Sequence, residues 1–254
     1  MEKLEIKDNG MHITKGLSYS KLGTIQKEII EEVFDFAFSM SFGKEGEHRS
    51  YRSGGSHKRK NGEIFANAFQ GKLAEFAFYK EAIRYGLLID KPDLSVWELG
   101  KWDDSDFIVK GKNINIKSTK SYGNLLLLET KDWDKRGRYI PNIKKGLAVY
   151  DYFILIRMNP FCEEILKLNK ILYSEKIDKE ELRKIIIKEN WGYDIPGWIS
   201  HRDLVNIIND DFIIKKDDML NGITKMDAEN YYVQSGDMKD IKLLINILKN
   251  IAIK

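Results

Sequence analysis

The chain has a single cysteine, Cys162, and four scattered histidines, His12, His48, His57 and His201. One thiol excludes an intramolecular disulfide and suits a reducing compartment. Cys162 follows Asn159-Pro160-Phe161 with no histidine nearby, so it reads as a core or surface thiol rather than a nucleophile. A histidine-rich metal site is not legible either. Long apolar runs are missing: none approaches the ~18 residues that a membrane helix needs. The charged N-terminus lacks the apolar stretch of a signal peptide. The expectation is a cytoplasmic protein with no membrane partner. An excess of one charge sign is also lacking, since 42 Lys+Arg face 39 Asp+Glu for a net charge of +3. Bulk charge therefore selects no nucleic-acid partner, and the placement of the charges has to carry that question. No internal repeat, coiled coil, low-complexity tract or clear linker is visible.

With 254 residues, 43% hydrophobic and 32% charged, the chain can bury a sizeable core and is not globally disordered. Thr24 to Ser39 is expected as an amphipathic helix capped by Thr24, with Ile25, Ile29, Val33, Phe36 and Ala37 at helical spacing. Ile64 to Tyr85 is a second helix, with a broad stripe through Phe65, Ala68, Phe69, Leu73, Phe76, Ala77 and Ala82. Glu75 stands inside or beside that stripe, either at its edge or aimed at a polar site.

Between these helices, Phe42 to Gly62 is rich in glycine and carries Arg49, Arg52, Lys58, Arg59 and Lys60. Such a segment is either a solvated surface loop or one that orders on a phosphate backbone. Leu94 to Leu99 reads as a first strand, and Tyr152 to Arg157 as a buried strand ended by Asn159-Pro160. Leu125 to Leu128 is a short apolar run of undecided type. Residues 163–189 read as mostly helical, and Trp191 to Trp198 as a turn-rich aromatic segment. Ser200 is expected to cap a helix through Ile208, and 239–253 is a closing helix.

The stretch Asp106 to Lys117 is the most informative. Two β-type runs, Phe107-Ile108-Val109 and Ile114-Asn115-Ile116, flank Lys110-Gly111-Lys112-Asn113, which is a hairpin signal. Strand alternation sets Asn115 and Lys117 on one face and Ile114 and Ile116 on the other. With Asp106 at the mouth of the first strand, an acid, an amide oxygen and a lysine converge where a hard cation and a water can sit.

The order of these elements over residues 64–157, with Glu75 on a helix, Asp106 opening a strand and Ile114-Asn115-Ile116-Lys117-Ser118 on the next, resembles the PD-(D/E)XK phosphodiesterase superfamily. That superfamily includes many type II restriction endonucleases. The resemblance implies an α/β fold with a restriction-endonuclease-like core, a mixed sheet flanked by helices, and an appended, mostly helical C-terminal region. Residues 1–160 would hold the N-terminal helices and catalytic core, and 161–254 would complete the fold or serve DNA recognition and dimerisation. The implied activity is a Mg²⁺-dependent endodeoxyribonuclease of a restriction system, with Mn²⁺ able to substitute, acting on double-stranded DNA as a homodimer. Asp106, Asn115, Lys117 and Glu75 would be catalytic, and Asp106, Asn115 and Glu75 would hold the metal.

One position departs from the pattern: an acid is expected where Asn115 stands. Three readings remain open. Glu75 or Glu129 supplies the missing charge; Asn is a near-isosteric exchange for Asp; or the fold has kept binding and lost catalysis, leaving a non-catalytic nucleic-acid-binding module. Phosphate contacts are expected from Arg49, Arg52, Lys58, Arg59, Lys60, Lys120, Arg136 and Arg138. The loop Asp103-Asp104-Ser105-Asp106 lacks the ligand spacing of a calcium-binding EF-hand.

Overall fold

The computed structural model describes residues 1–43, 59–95, 106–146 and 148–252. In chain order, β1 (Glu5–Lys7) and β2 (Gly10–His12) precede β3 (Gly23–Thr24) and the helices α1 (Lys27–Ser41) and α2 (Asn61–Arg84). Next come β4 (Phe107–Val109), β5 (Lys112–Lys120), β6 (Leu125–Glu129) and β7 (Tyr152–Asn159). Helices α3 (Cys162–Leu168) and α4 (Lys179–Ile187) lead to β8 (Gly192–Ser200) and α5 (His201–Asn209). Four strands, β9 (Ile213–Ile214), β10 (Met219–Leu220), β11 (Thr224–Lys225) and β12 (Asn230–Gln234), precede the last helix, α6 (Ile241–Asn250).

The architecture is mixed α/β. A five-stranded sheet of order β3-β8-β7-β5-β4 is its centre, with β5 and β7 parallel and the other neighbours antiparallel. A second sheet pairs β6, β12 and β9, and a third joins β1, β2, β10 and β11. Residues after 160 thus do more than add helices: β8 belongs to the central sheet, and β12 is the middle strand of the second.

Each face of the central sheet has its own core, as strand alternation demands. Ile114, Ile154 and Ile156 point to one face, where they meet Phe34 of α1, Phe69 and Phe78 of α2, and Leu244 of α6. There Phe69 stacks on Phe65 at 5.6 Å and meets Trp191 edge-on at 5.0 Å. Phe153 and Leu155 point the other way, toward Leu126, Leu128 and Tyr232 of the second sheet and Leu204 and Ile207 of α5.

The β4–β5 hairpin forms as its sequence demands. Val109 pairs with Lys112, leaving Lys110 and Gly111 as a two-residue loop with φ of 49° and 77°. Positive φ at both loop positions is the turn whose twist matches antiparallel strands, and glycine makes the second position unstrained. At the start of α2, Gly62 answers to close approach instead. Its amide donates to Ser174 O, and a Cβ would stand 2.4 Å from Ile171 O.

Several expectations change. Thr24 does not cap α1: Thr24 pairs with Gly192 and the amide of Ile25 donates to Trp191 O at 2.9 Å, so the backbone is committed to the sheet until Gln26. The helix expected over 163–189 is two, interrupted between Leu168 and Lys179 by Lys170 in the left-handed region. The largest change is at Trp191–Trp198, which is not a turn but most of strand β8. Its pairing with β7 slips between Leu155 and Arg157. A bulge is where a central strand can take a proline, because the ladder is already interrupted there, and this one takes Pro196. The run at Leu125 resolves as β6. The strand expected at 94–99 runs into residues 96–105, which lie outside the described residues, as do 44–58 of the basic segment.

Candidate functional site

The hairpin brings three of the expected residues onto one face. Phe107 and Val109 turn toward α2, where Phe107 meets Phe78 at 5.2 Å. Phe107 pairs with Ile114, so Asp106 comes opposite Asn115. Its carboxylate oxygen Oδ2 accepts from the amide of Ile116 at 2.5 Å, which ties the acid to β5 at the point where the strand carries its polar row. On β5, Asn115 pairs with Phe153 and Lys117 with Leu155 of β7. Asp106, Asn115 and Lys117 therefore share the face that looks toward the second sheet.

Two oxygens on this side are buried without a hydrogen-bond partner: Asn115 Oδ1 and Glu129 Oε2. Glu129 Oε2 does have an ion-pair neighbour, Lys131 Nζ at 3.0 Å. A buried acceptor left without a donor costs about 1–3 kcal/mol, and a cation or bound water is the ordinary remedy. Burial pushes the pKa of Lys117 down from the usual lysine range, and the carboxylates of Asp106, Asp132 and Glu129 work against that shift. Glu129 ends β6, and Asp132 lies in the single 3-10 turn Thr130–Asp132 that follows it. The field on Lys117 thus comes from β4 and from the second sheet.

The sequence offers Glu129, with Glu75, as a source of the charge missing at Asn115, and Asp132 is an addition made by the structure. No local signal marks Asp132; only the packing of the second sheet on the first brings it near Lys117.

Glu75 is elsewhere. It is buried on α2, paired with Lys72 Nζ at 2.7 Å, and Lys72 lies over the ring of Phe36 in α1. Helix α2 packs on the isoleucine face of β5, opposite the face of Asn115 and Lys117.

The residues fit a Mg²⁺ ion in a limited sense. Mg²⁺ takes hard oxygen ligands and is usually held through one or two carboxylates plus waters. The Asp106 carboxylate and the unpartnered Asn115 oxygen, adjacent across the hairpin, supply such a pair. Among the described residues, no three His, Cys, Asp or Glu side chains gather closely enough to form a cage, so water and substrate oxygens would complete the shell.

Of the expected phosphate contacts, Arg49, Arg52 and Lys58 lie outside the described residues. Arg59 and Lys60 lead into α2, where Lys60 Nζ pairs with Glu175 at 2.6 Å. Lys120, at the end of β5, stands 3.5 Å from Glu164 and over the ring of Tyr122. Arg136 and Arg138 belong to a turn organised by Asp134, whose Oδ1 accepts from both their amides and whose Oδ2 accepts from Arg138 Nε. Exposed pairs of this kind are worth about 0–1 kcal/mol, so a phosphate can displace the acid. Cys162 is fully buried, and burial raises its pKa, so of the core and surface readings it is the core one, an inert thiol.

Comparison of the chain with protein-family models, curated proteins and solved structures finds no match.

Proposed function

We propose that this protein is a Mg²⁺-dependent endodeoxyribonuclease with a restriction-endonuclease-like core, cutting double-stranded DNA as a homodimer in the cytoplasm. The observation that carries the reading is the row of Asp106, the unpartnered Asn115 oxygen and the half-buried Lys117 on one face of the β4–β5 hairpin. Phosphodiester hydrolysis needs an activated water, neutralisation of charge growing on the phosphoryl oxygens and a stabilised leaving oxygen. Asp106 and Asn115 Oδ1 would hold the metal, and Glu129 and Asp132 add negative charge that Asn115 does not. When bound, Mg²⁺ supplies water activation and phosphoryl polarisation. Lys117 offsets charge on the scissile phosphate and orients the attacking water. Its low-dielectric surroundings strengthen that interaction relative to water. Two-fold symmetry would present one such site to each strand of a palindromic duplex.

Incubation of supercoiled plasmid with Mg²⁺ or Mn²⁺ tests the reading, comparing the chain with Asn115→Asp and Lys117→Ala. Nicked or linear product from the chain, increased by Asn115→Asp and abolished by Lys117→Ala, is the expected result. Asn115 itself favours a second reading, a non-catalytic DNA-binding module on the same fold. Retarded but intact DNA with both the chain and Asn115→Asp would select it.

A further inference from the structure

Beyond the C-terminal end of β5 lies a cleft of about 290 Å³, lined by Leu17, Ser18, Tyr19, Ser121, Tyr122 and Asn124. One wall is the N-terminal segment, clamped in place by a buried arginine. Arg157 Nη1 donates to Leu17 O at 2.6 Å and to Asn124 Oδ1 at 3.0 Å, and its Nη2 donates to Ser18 O at 3.0 Å. The same guanidinium is held by Asp194 through Nε at 2.8 Å and Nη2 at 2.6 Å. Asp194 also accepts from the amide of Ser20. With both Arg157 and Asp194 buried, this wall is fixed before any ligand arrives.

The other wall is the turn after β5, closed by Gly123 N donating to Lys120 O at 2.8 Å. Tyr122 stands on it with 65% of its surface exposed, its hydroxyl donating to Glu164 and Lys120 Nζ 5.2 Å from its ring centroid. Tyr19 turns its hydroxyl toward Gly192 of β8, where it is buried, so the polar side chains left on the lining are Ser18, Ser121 and Asn124. Two serines and an asparagine suit a ligand with a polar edge, and an exposed tyrosine ring suits one with a flat face.

We propose that this cleft binds an unstacked nucleobase of a DNA strand, with the base lying on Tyr122, its polar edge toward Ser18 and Ser121, and its phosphate toward Lys120. Stacking on an aromatic side chain accepts any base, and a single lysine supplies the backbone contact. The position suits the site described above, on which this assignment rests. Thr119, two residues beyond Lys117, pairs with Arg157 on the same face of the sheet. Ser121 follows Lys117 by four residues, about 13 Å at 3.3 Å per strand residue. That is about four nucleotides at a 3.4 Å rise. The cleft would then hold a base of the strand whose phosphate lies at Lys117, away from the cut.

The test uses the full chain without divalent metal and single-stranded DNA oligonucleotides carrying 2-aminopurine at successive positions. Binding is read by anisotropy and stacking by quenching of the 2-aminopurine emission. One register is expected to quench. Tyr122→Ala should abolish that quenching and weaken binding roughly tenfold, whereas Tyr122→Phe, which keeps the ring, should preserve both. An abasic nucleotide at the quenching register should weaken the wild-type chain by the same factor and leave Tyr122→Ala no weaker. Undiminished binding and quenching by Tyr122→Ala overturns the assignment. Binding and quenching here, with plasmid left intact in Mg²⁺ and Mn²⁺ even by Asn115→Asp, overturns the nuclease reading and leaves the cleft standing. A chain that holds neither these oligonucleotides nor duplex DNA overturns both.

Discussion

The two faces of the central sheet are built from the same strands and serve opposite ends. On the helical face, β5 contributes Ile114 and Ile116 to a core of phenylalanines from α1 and α2, with Phe34, Phe65, Phe69 and Phe78 all fully buried. On the opposite face, the alternate residues of β5 are Asn115 and Lys117, beside Phe153 and Leu155. There a lysine is drawn into apolar surroundings and an amide oxygen is left without a donor. The first face is what a sheet does when only burial matters. The second accepts an unfavourable arrangement, and a group placed against its own solvation preference is the ordinary mark of a site built for another molecule.

The strongest way to break this contrast is at Lys117. Lys117→Ala is expected to lower plasmid cleavage by at least ~10³-fold, about 4 kcal/mol of transition-state stabilisation, measured as initial rate in Mg²⁺. Stability should move the other way. A lysine whose folded pKa is lowered takes up fewer protons folded than unfolded, so it opposes folding below its lowered pKa. That penalty fades as pH rises toward the ordinary 10.5. Lys117→Met should therefore melt no lower than the parent at neutral pH; a large drop in Tm would mark the lysine as structural.

Phe69→Ala probes the other face. Fully buried between Phe65 and Trp191, it should cost about 3–5 kcal/mol in urea unfolding while leaving any cleavage by the remaining folded protein intact. Next is the buried pair that holds the N-terminal segment over the second face. Asp194→Ala leaves the Arg157 guanidinium buried without its acid and should cost about 3 kcal/mol, with protease sensitivity appearing first near residues 17–20. The smallest effect is expected at the entry of α5. Ser200 and Asp203 form a reciprocal cap there, and Asp203 also takes Lys239 Nζ at 2.5 Å. Burial alone would raise the pKa of Asp203, but its bonds to Lys239 and Ser200 outweigh that and hold it below the usual carboxylate range. Asp203→Asn should cost about 1 kcal/mol at neutral pH. Because the contribution is present above the unfolded pKa and lost as pH falls through the lowered folded value, wild type and variant should converge in acid.

Local pattern carried much of this fold. The period of Ile29, Val33 and Ala37 placed α1, the stripe through Phe65, Phe69, Leu73 and Phe76 placed α2, and Ser200 placed the start of α5. Where local reading erred, a long-range contact had claimed the backbone. Thr24 looks like a helix cap, but its neighbours bond to β8, 168 residues away. Pro196 looks like a strand breaker until its pairing with β7 places it in a bulge of β8.

The hairpin was the best-read part of the candidate site because its information is local. Gly111 requires a turn, and alternation then sets Asp106, Asn115 and Lys117 on one face with no help from the rest of the chain. Glu75 could be placed on a helix by period but not on a side of the sheet by it; its helix packs on the isoleucine face of β5. Glu129 and Asp132 reach Lys117 only because β6 pairs with β12, a strand about a hundred residues later in the chain. Local periodicity follows from backbone geometry and is written residue by residue. Which charge finds which lysine follows from how the layers stack, and that is decided by the burial of the whole chain at once.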